Sequence, residues 1–75
     1  MNEEIKKKAR LSVGEQLRKA RQKKGLTLRD LSEKVGLAYN HIGRVEAGKY
    51  NVTLDTIAII ANALDVNIVI DEKNV

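Results

Sequence analysis

Residues 27–46 read TLRDLSEKVGLAYNHIGRVE, and this stretch decides the fold. The hydroxyl of Thr27 and the carboxylate of Asp30 have the spacing of a capping box, in which each side chain hydrogen-bonds to the backbone of the other residue at a helix N-terminus. Apolar residues then recur at helical spacing until Gly36, and glycine readily adopts the left-handed conformation that ends a helix. The pattern predicts a short helix over Leu28–Val35.

A second helix is predicted directly after this glycine. Ile42 and Val45 mark its inner face, and Gly48 ends it near Ala47. Two short helices joined by a tight turn can cross steeply, so that the first lies over the DNA backbone and the second enters the major groove. The residues alone leave open the alternative of an ordinary helical hairpin in a bundle.

Further helices are predicted on both sides of this pair. The first runs from Val13 to Lys24 after a second match to the capping box at Ser12 and Glu15, and the fourth begins after Thr53 and ends near residue 65. The apolar spacing places Leu54 on the inner face of the fourth helix. The positions predicted to be buried are Leu17, Leu31, Val35, Ile42, Val45, Ile57 and Leu64.

The C-terminal segment differs in character, because residues 67–71 are rich in β-branched side chains that favour a strand. The sequence therefore predicts an all-α domain of four to five short helices over residues 12–66. A basic N-terminal tail over residues 1–11 precedes it, and a short C-terminal β-strand and tail over residues 67–75 follow it.

The composition narrows the possible functions. Fourteen Lys and Arg oppose ten Asp and Glu, and the net charge of +4 suits a polyanionic partner, although an ordinary soluble surface could carry the same charge. The chain has no cysteine, one histidine, no glycine-rich phosphate loop after a strand and no close carboxylate pair. We therefore predict no enzyme activity, no cofactor and no metal site. No apolar run approaches the length of a membrane span or signal sequence, and a cytoplasmic location is expected.

The order of these elements resembles the phage-repressor and Cro type of helix-turn-helix protein, the XRE family, over residues 12–66. Four segments match in order: LRKAR at 17–21, LSEKVGL at 31–37, IGRVEAGK at 42–49 and IANALDV at 60–66. The resemblance implies a lambda-repressor-like bundle. It also implies a transcriptional regulator, expected to be a repressor, that binds double-stranded DNA as a homodimer on a palindromic operator.

Two positions depart from the family pattern. Family members commonly have glutamine at the first residue of the helix that corresponds to Leu28–Val35, where it contacts phosphate or braces a base-reading side chain. This chain has Leu28 at that position. Many also have glutamine early in the helix that follows Gly36, at the position of Tyr39. This helix, which would enter the major groove, is called the recognition helix below. The base preference of the family therefore does not carry over.

A helical wheel places four residues of the recognition helix away from its inner face, and we predict that they read bases: Tyr39, Asn40, Gly43 and Arg44. Asn40 can pair with adenine and Arg44 with guanine, the alternatives being a solvated amide and a phosphate contact. A glycine inside a helix allows the backbone to approach DNA closely. Tyr39 either touches a thymine methyl or sugar or covers the helix edge.

Phosphate contacts are predicted around this surface, from Arg29, from Lys49 and from the helix N-termini at Thr27 and Ala38. The basic residues between positions 6 and 10 would form either a minor-groove arm or a solvated, disordered tail, and the tail is favoured.

The resemblance also implies a structural role for two charged residues. In the family an arginine of the first helix commonly pairs with the glutamate that ends the recognition helix, and the matching residues are Arg21 and Glu46. This pair would brace the orientation of the recognition helix.

Apolar residues outside the predicted core indicate a homodimer. Ile59 lies on the outer side of the fourth helix beside Ala63, and the isolated strand carries Ile68, Val69 and Ile70. A strand that pairs with its symmetry mate satisfies its backbone and hides its edge. The longer segment from Thr53 to Lys73 resembles the end of HipB-type antitoxin repressors, in which such a strand joins the two subunits. An alternative function is therefore an antitoxin that binds a partner toxin and autoregulates its operon.

Overall fold

In the computed structural model, which describes residues 2–49 and 51–70, the chain folds into four α-helices. They are α1 (Glu3–Lys23), α2 (Leu28–Val35), α3 (Tyr39–Glu46) and α4 (Leu54–Ala63). The all-helical bundle that the sequence predicts is confirmed for this part of the chain, and α3 packs against both α1 and α2. No helix within the described ranges combines the length and the apolar character that crossing a membrane requires.

The N-terminus of α2 has the capping box that the sequence predicts. The Thr27 hydroxyl accepts a hydrogen bond from the Asp30 backbone N–H at 3.0 Å, and the Asp30 carboxylate accepts one from the Thr27 backbone N–H at 2.9 Å. The hydrogen bond from the Thr27 backbone, followed by an interaction with the Thr27 side chain, stabilises the charged carboxylate and lowers the pKa of Asp30. Gly36 ends the helix with a φ of 76°. The predicted bounds of α2 are therefore confirmed.

The predicted start of the first helix at Val13 is wrong, because α1 begins at Glu3 and residues 3–11 form its first half rather than a disordered tail. This segment consists largely of good helix formers, and acidic residues in the first turn interact favourably with the helix dipole. Ser12 lies inside the helix, where its hydroxyl accepts a hydrogen bond from the Gln16 side chain at 3.2 Å instead of capping a helix end.

The core is aliphatic and lies between the four helices. Its buried members are Leu17, Leu31, Ile42, Val45, Ile60, Ala61 and Leu64. Of the positions predicted to be buried, Val35 and Ile57 are only partly covered and pack against the rim of this cluster. Leu54, predicted to face inward, is 67% exposed. As the first residue of α4 it lines an open apolar groove with the C-terminal segment instead of the core.

The predicted C-terminal strand is not formed. Residues 67–70 have no regular secondary structure, and the last predicted strand residue, Asp71, lies outside the described residues. A single strand cannot satisfy its backbone without a partner, and the described part of the chain contains no second strand to pair with it. The side chains of Val69 and Ile70 are 69% and 94% exposed, which leaves them open to contact with another molecule.

Candidate nucleic-acid interface

The recognition helix α3 has two faces of opposite character. Ile42 and Val45 are buried in the core, whereas Asn40 and Arg44 are exposed on the other side. Residues four apart lie above one another on a helix, so the amide and the guanidinium form one polar edge. This edge carries the chemistry that pairs with adenine and guanine in a major groove.

Gly43 lies half-buried beside α2 rather than in the middle of the exposed edge. A Cβ atom built on this residue would lie 3.5 Å from Cδ1 of Leu28, which is an ordinary van der Waals contact. The fold of the free protein therefore does not explain the glycine at this position.

The structure brings together two predicted site residues that the sequence places in separate roles. The Cζ atom of Arg29, near the start of α2, lies 4.6 Å from the centroid of the Tyr39 ring, at the start of α3. Tyr39 remains 44% exposed. The two residues are on different helices, and no local sequence pattern signals a contact between them.

The helix N-termini differ in how their backbone N–H groups are satisfied. The Thr27 hydroxyl already caps α2, whereas Ala38, the N-cap residue of α3, offers no side-chain cap. The start of α3 thus lacks the side-chain acceptor that Thr27 provides to α2, and a helix N-terminus of this kind is a favourable place for an anion such as a phosphate. Lys49, in the turn after α3, has an exposed side chain, while its backbone N–H donates to the Arg44 carbonyl at 3.1 Å.

A bidentate ion pair connects α1 to the C-terminal end of α3. Nε and Nη2 of Arg21 donate to the two carboxylate oxygens of Glu46 at 2.7 and 3.0 Å, and Nη1 donates to the Leu26 carbonyl at 2.8 Å. The hydrogen bond to the Glu46 carboxylate raises the pKa of Arg21. The two side chains are only 12% and 6% exposed, so the pair is almost fully shielded from water.

Gly14 provides a second contact between α1 and α3, which the sequence interpretation missed. A Cβ atom at this position would lie within 2.5 Å of the Val45 carbonyl oxygen and closer still to that of Glu46. The two helices can therefore approach this closely only because residue 14 is glycine. A glycine inside an otherwise helical pattern can indicate a close contact with another backbone. At residue 14 this signal is hidden, because the glycine falls within the apparent capping box at residues 12–15.

Arg10 and Leu11, in the first half of α1, contact the segment that follows α3. Nη1 of Arg10 donates to the Asn51 side-chain oxygen at 3.1 Å, and Leu11 packs against Gly48, which has a φ of 68°. These contacts join the helical N-terminal segment to the chain on both sides of position 50.

Comparison with known proteins identifies the family. The helix-turn-helix family model matches residues 17–70. Among solved structures, the chain is similar to the restriction-modification controller protein C.AhdI from Aeromonas hydrophila, with 38% identity and a TM-score of 0.71 over 76% of this chain and 86% of that chain. A search of curated protein sequences finds no match. The chain belongs to the XRE-type helix-turn-helix family of DNA-binding transcriptional regulators.

Proposed function

We propose that this protein is a sequence-specific transcriptional repressor that binds a palindromic operator as a homodimer, with α3 of each copy in the major groove. The observation that carries the proposal is the exposed polar edge formed by Asn40 and Arg44, on a helix whose C-terminal end is held by Arg21. A rigid support matters because base reading depends on hydrogen bonds whose geometry tolerates little displacement.

The proposed contacts fall into two classes. Asn40 and Arg44 read adenine and guanine, with Tyr39 and the backbone at Gly43 beside them. Phosphate contacts come from Arg29, Lys49, the N-terminus of α3 at Ala38 and, at Thr27, those N–H groups of the α2 N-terminus that the capping box leaves open. Phosphate contacts give affinity and orientation, whereas base contacts give discrimination.

Selection of bound duplexes from a random DNA pool tests the proposal. We expect an inverted repeat to emerge whose half-sites are separated by about 34 Å, one turn of DNA. A pool that stays random after repeated selection would refute sequence-specific binding.

Two substitutions separate the classes of contact. Arg44→Ala should lose about 1–3 kcal/mol of discrimination at one base position per half-site, because a bidentate pair with guanine is removed. Lys49→Ala should weaken binding to every sequence alike and lower the salt slope by about one. Titration of the selected and scrambled duplexes at several salt concentrations measures both effects. If Arg44→Ala also weakens both duplexes equally, Arg44 contacts phosphate and its assignment to base reading is wrong.

The proposed dimer interface combines the outer face of α4 with the C-terminal segment. Ile59 is 48% exposed, and Ile68, Val69 and Ile70 are exposed nearby in the sequence; Ala63 is half-buried at the edge of this surface. A second copy of the chain is the proposed occupant, because a two-fold interface covers the same apolar surface on both molecules and gives two copies of α3 for one operator.

Ile59→Glu should convert the dimer to a folded monomer, because two copies of an interfacial charge would be buried against apolar surface. Ala58→Glu, at the neighbouring exposed position, is the matched control and should remain dimeric. Sedimentation measures the oligomeric state of both variants.

Val69→Pro tests strand pairing separately, since proline cannot donate a ladder hydrogen bond. A dimeric Ile59→Glu variant would exclude the α4 interface, and a dimeric Val69→Pro variant would exclude strand pairing.

The similarity to a restriction-modification controller protein favours one regulatory setting, the control of restriction and modification genes. We expect the selected operator to occur upstream of such genes in the host genome. The antitoxin alternative makes a different prediction: the tagged protein should co-purify with a stoichiometric protein partner, and its operator should precede the gene for that partner. Co-purification with such a partner would favour the antitoxin function over that of a repressor without a protein partner.

A further inference from the structure

We propose that Arg29 is a positioning residue for base reading, because its guanidinium holds the Tyr39 ring at the entrance of α3 and makes the two residues one specificity-determining unit. The inference rests on the proposed function and deepens it. It couples an arginine assigned to phosphate with a tyrosine assigned to bases.

The contact joins the starts of the two helices of the motif. The distance of 4.6 Å from the Arg29 Cζ atom to the Tyr39 ring centroid lies inside the range of about 6 Å over which a cation interacts with an aromatic face. Arg29 is the second residue of α2, and the capping box of Thr27 and Asp30 fixes the backbone on both sides of it. The side chain of Arg29 therefore extends from a fixed backbone position, and its guanidinium can restrict the movement of the ring.

Among the residues that the structure describes, no acidic group competes with the ring for the guanidinium. The Asp30 carboxylate accepts the Thr27 backbone N–H, and Arg29 makes no ion pair within the described parts of the chain. The neighbouring residue, Leu28, packs against the core. Of the contacts described for Arg29, the one with the face of the tyrosine ring restricts its side chain.

The stacked arrangement leaves both residues able to contact DNA. All five N–H donors of a guanidinium lie in its plane, so stacking occupies a face and leaves its edge open to a phosphate. Tyr39 keeps 44% of its surface exposed, which leaves ring surface and the hydroxyl for a base edge or a thymine methyl. A phosphate bound to Arg29 would therefore help to hold the ring of Tyr39 against the base pairs.

Lysine distinguishes this role from a simple phosphate contact. Lysine has the same charge as arginine, but it lacks the planar group that stacks on an aromatic ring. Arg29→Lys should therefore preserve electrostatic attraction to DNA and weaken the positioning of Tyr39. Arg18→Lys, at another exposed arginine, is the matched control.

The first experiment is made on the free protein and does not depend on DNA. The side-chain protons of Arg29 should show an upfield ring-current shift in the NMR spectrum of the full chain, and Tyr39→Leu should abolish it. Tyr39→Phe should retain the shift, because the ring is preserved. Arg29 protons at random-coil positions in the wild-type protein, or unchanged in Tyr39→Leu, would overturn the contact.

The second experiment first identifies the base pairs at which Tyr39→Leu no longer discriminates between bases. A double-substitution cycle then compares binding to the selected duplex with binding to duplexes changed at these base pairs. Arg29→Lys should reduce discrimination at these base pairs by about two- to five-fold, measured as the ratio of its Kd values for the changed and the selected duplexes, whereas Arg18→Lys should keep the wild-type ratio. In the Tyr39→Leu background, Arg29→Lys should have no further effect on discrimination.

Full discrimination in Arg29→Lys, or an equal loss in both backgrounds, would overturn the coupling and leave the proposed function intact. A wild-type protein that shows no discrimination at any base pair would instead overturn the proposed function, and the positioning role with it.

Discussion

Replacing Gly14 with alanine is expected to destabilise the domain by about 3 kcal/mol or more, because the new methyl group would overlap the backbone of α3. Its Cβ atom would lie within 2.5 Å of the Val45 carbonyl oxygen and closer to that of Glu46. Backbone atoms at a helix end cannot move aside as the tip of a flexible side chain can. The two helices must separate, and the core between them opens. Urea denaturation followed by circular dichroism measures the loss.

Gly43→Ala is the matched control for this prediction. Both glycines lie inside helices, and alanine is the better helix former by about 0.5–1 kcal/mol. At position 43 the added methyl group meets only Leu28 at 3.5 Å. We therefore expect Gly43→Ala to be as stable as the wild type or more stable. Equal stability of the Gly14→Ala and wild-type proteins would show that α1 and α3 do not approach each other as closely as described.

Replacing Arg21 with methionine is expected to cost about 3–5 kcal/mol, because it leaves the carboxylate of Glu46 buried without a partner. This side chain is only 6% exposed, and the Leu26 carbonyl would lose a donor in the same step. The native pair itself contributes less than this loss suggests, since much of the cost comes from the stranded charge. Thermal and urea unfolding of the purified variant give the measurement.

Lys24→Met provides the comparison in an exposed ion pair. Lys24 lies 2.6 Å from Asp65, and the two side chains are 38% and 77% exposed. Exposed pairs contribute about 0–1 kcal/mol because water screens them. If Arg21→Met loses no more stability than Lys24→Met, the pair between α1 and α3 does not brace the recognition helix.

Local patterns predicted the parts of the fold that local interactions determine. The bounds of α2 follow from the Thr27–Asp30 capping box and the left-handed Gly36, all within ten residues of sequence. The same kind of pattern was misleading at Ser12, because a run of helix formers before it extends α1 to Glu3. A capping box marks a helix start only where the preceding residues do not themselves favour a helix.

Features that depend on contacts between distant residues were less accessible to sequence reasoning. The role of Gly14 depends on the backbone of α3 about thirty residues later, and the contact of Arg29 with Tyr39 depends on how two helices cross. The pair of Arg21 and Glu46 was expected only through the family resemblance, and the structure contains it. The C-terminal strand was inferred from β-branched composition, yet β propensity is expressed only where a partner strand is available.

If the exposed edge of α3 reads base sequence, the wild-type protein must bind its selected duplex more tightly than a scrambled duplex. The ratio of the Kd for the scrambled duplex to the Kd for the selected duplex, both measured at about 150 mM salt, decides this. We expect a ratio of about 10³ or more, the range of specific regulators. A ratio near one, with both duplexes bound equally, would contradict it.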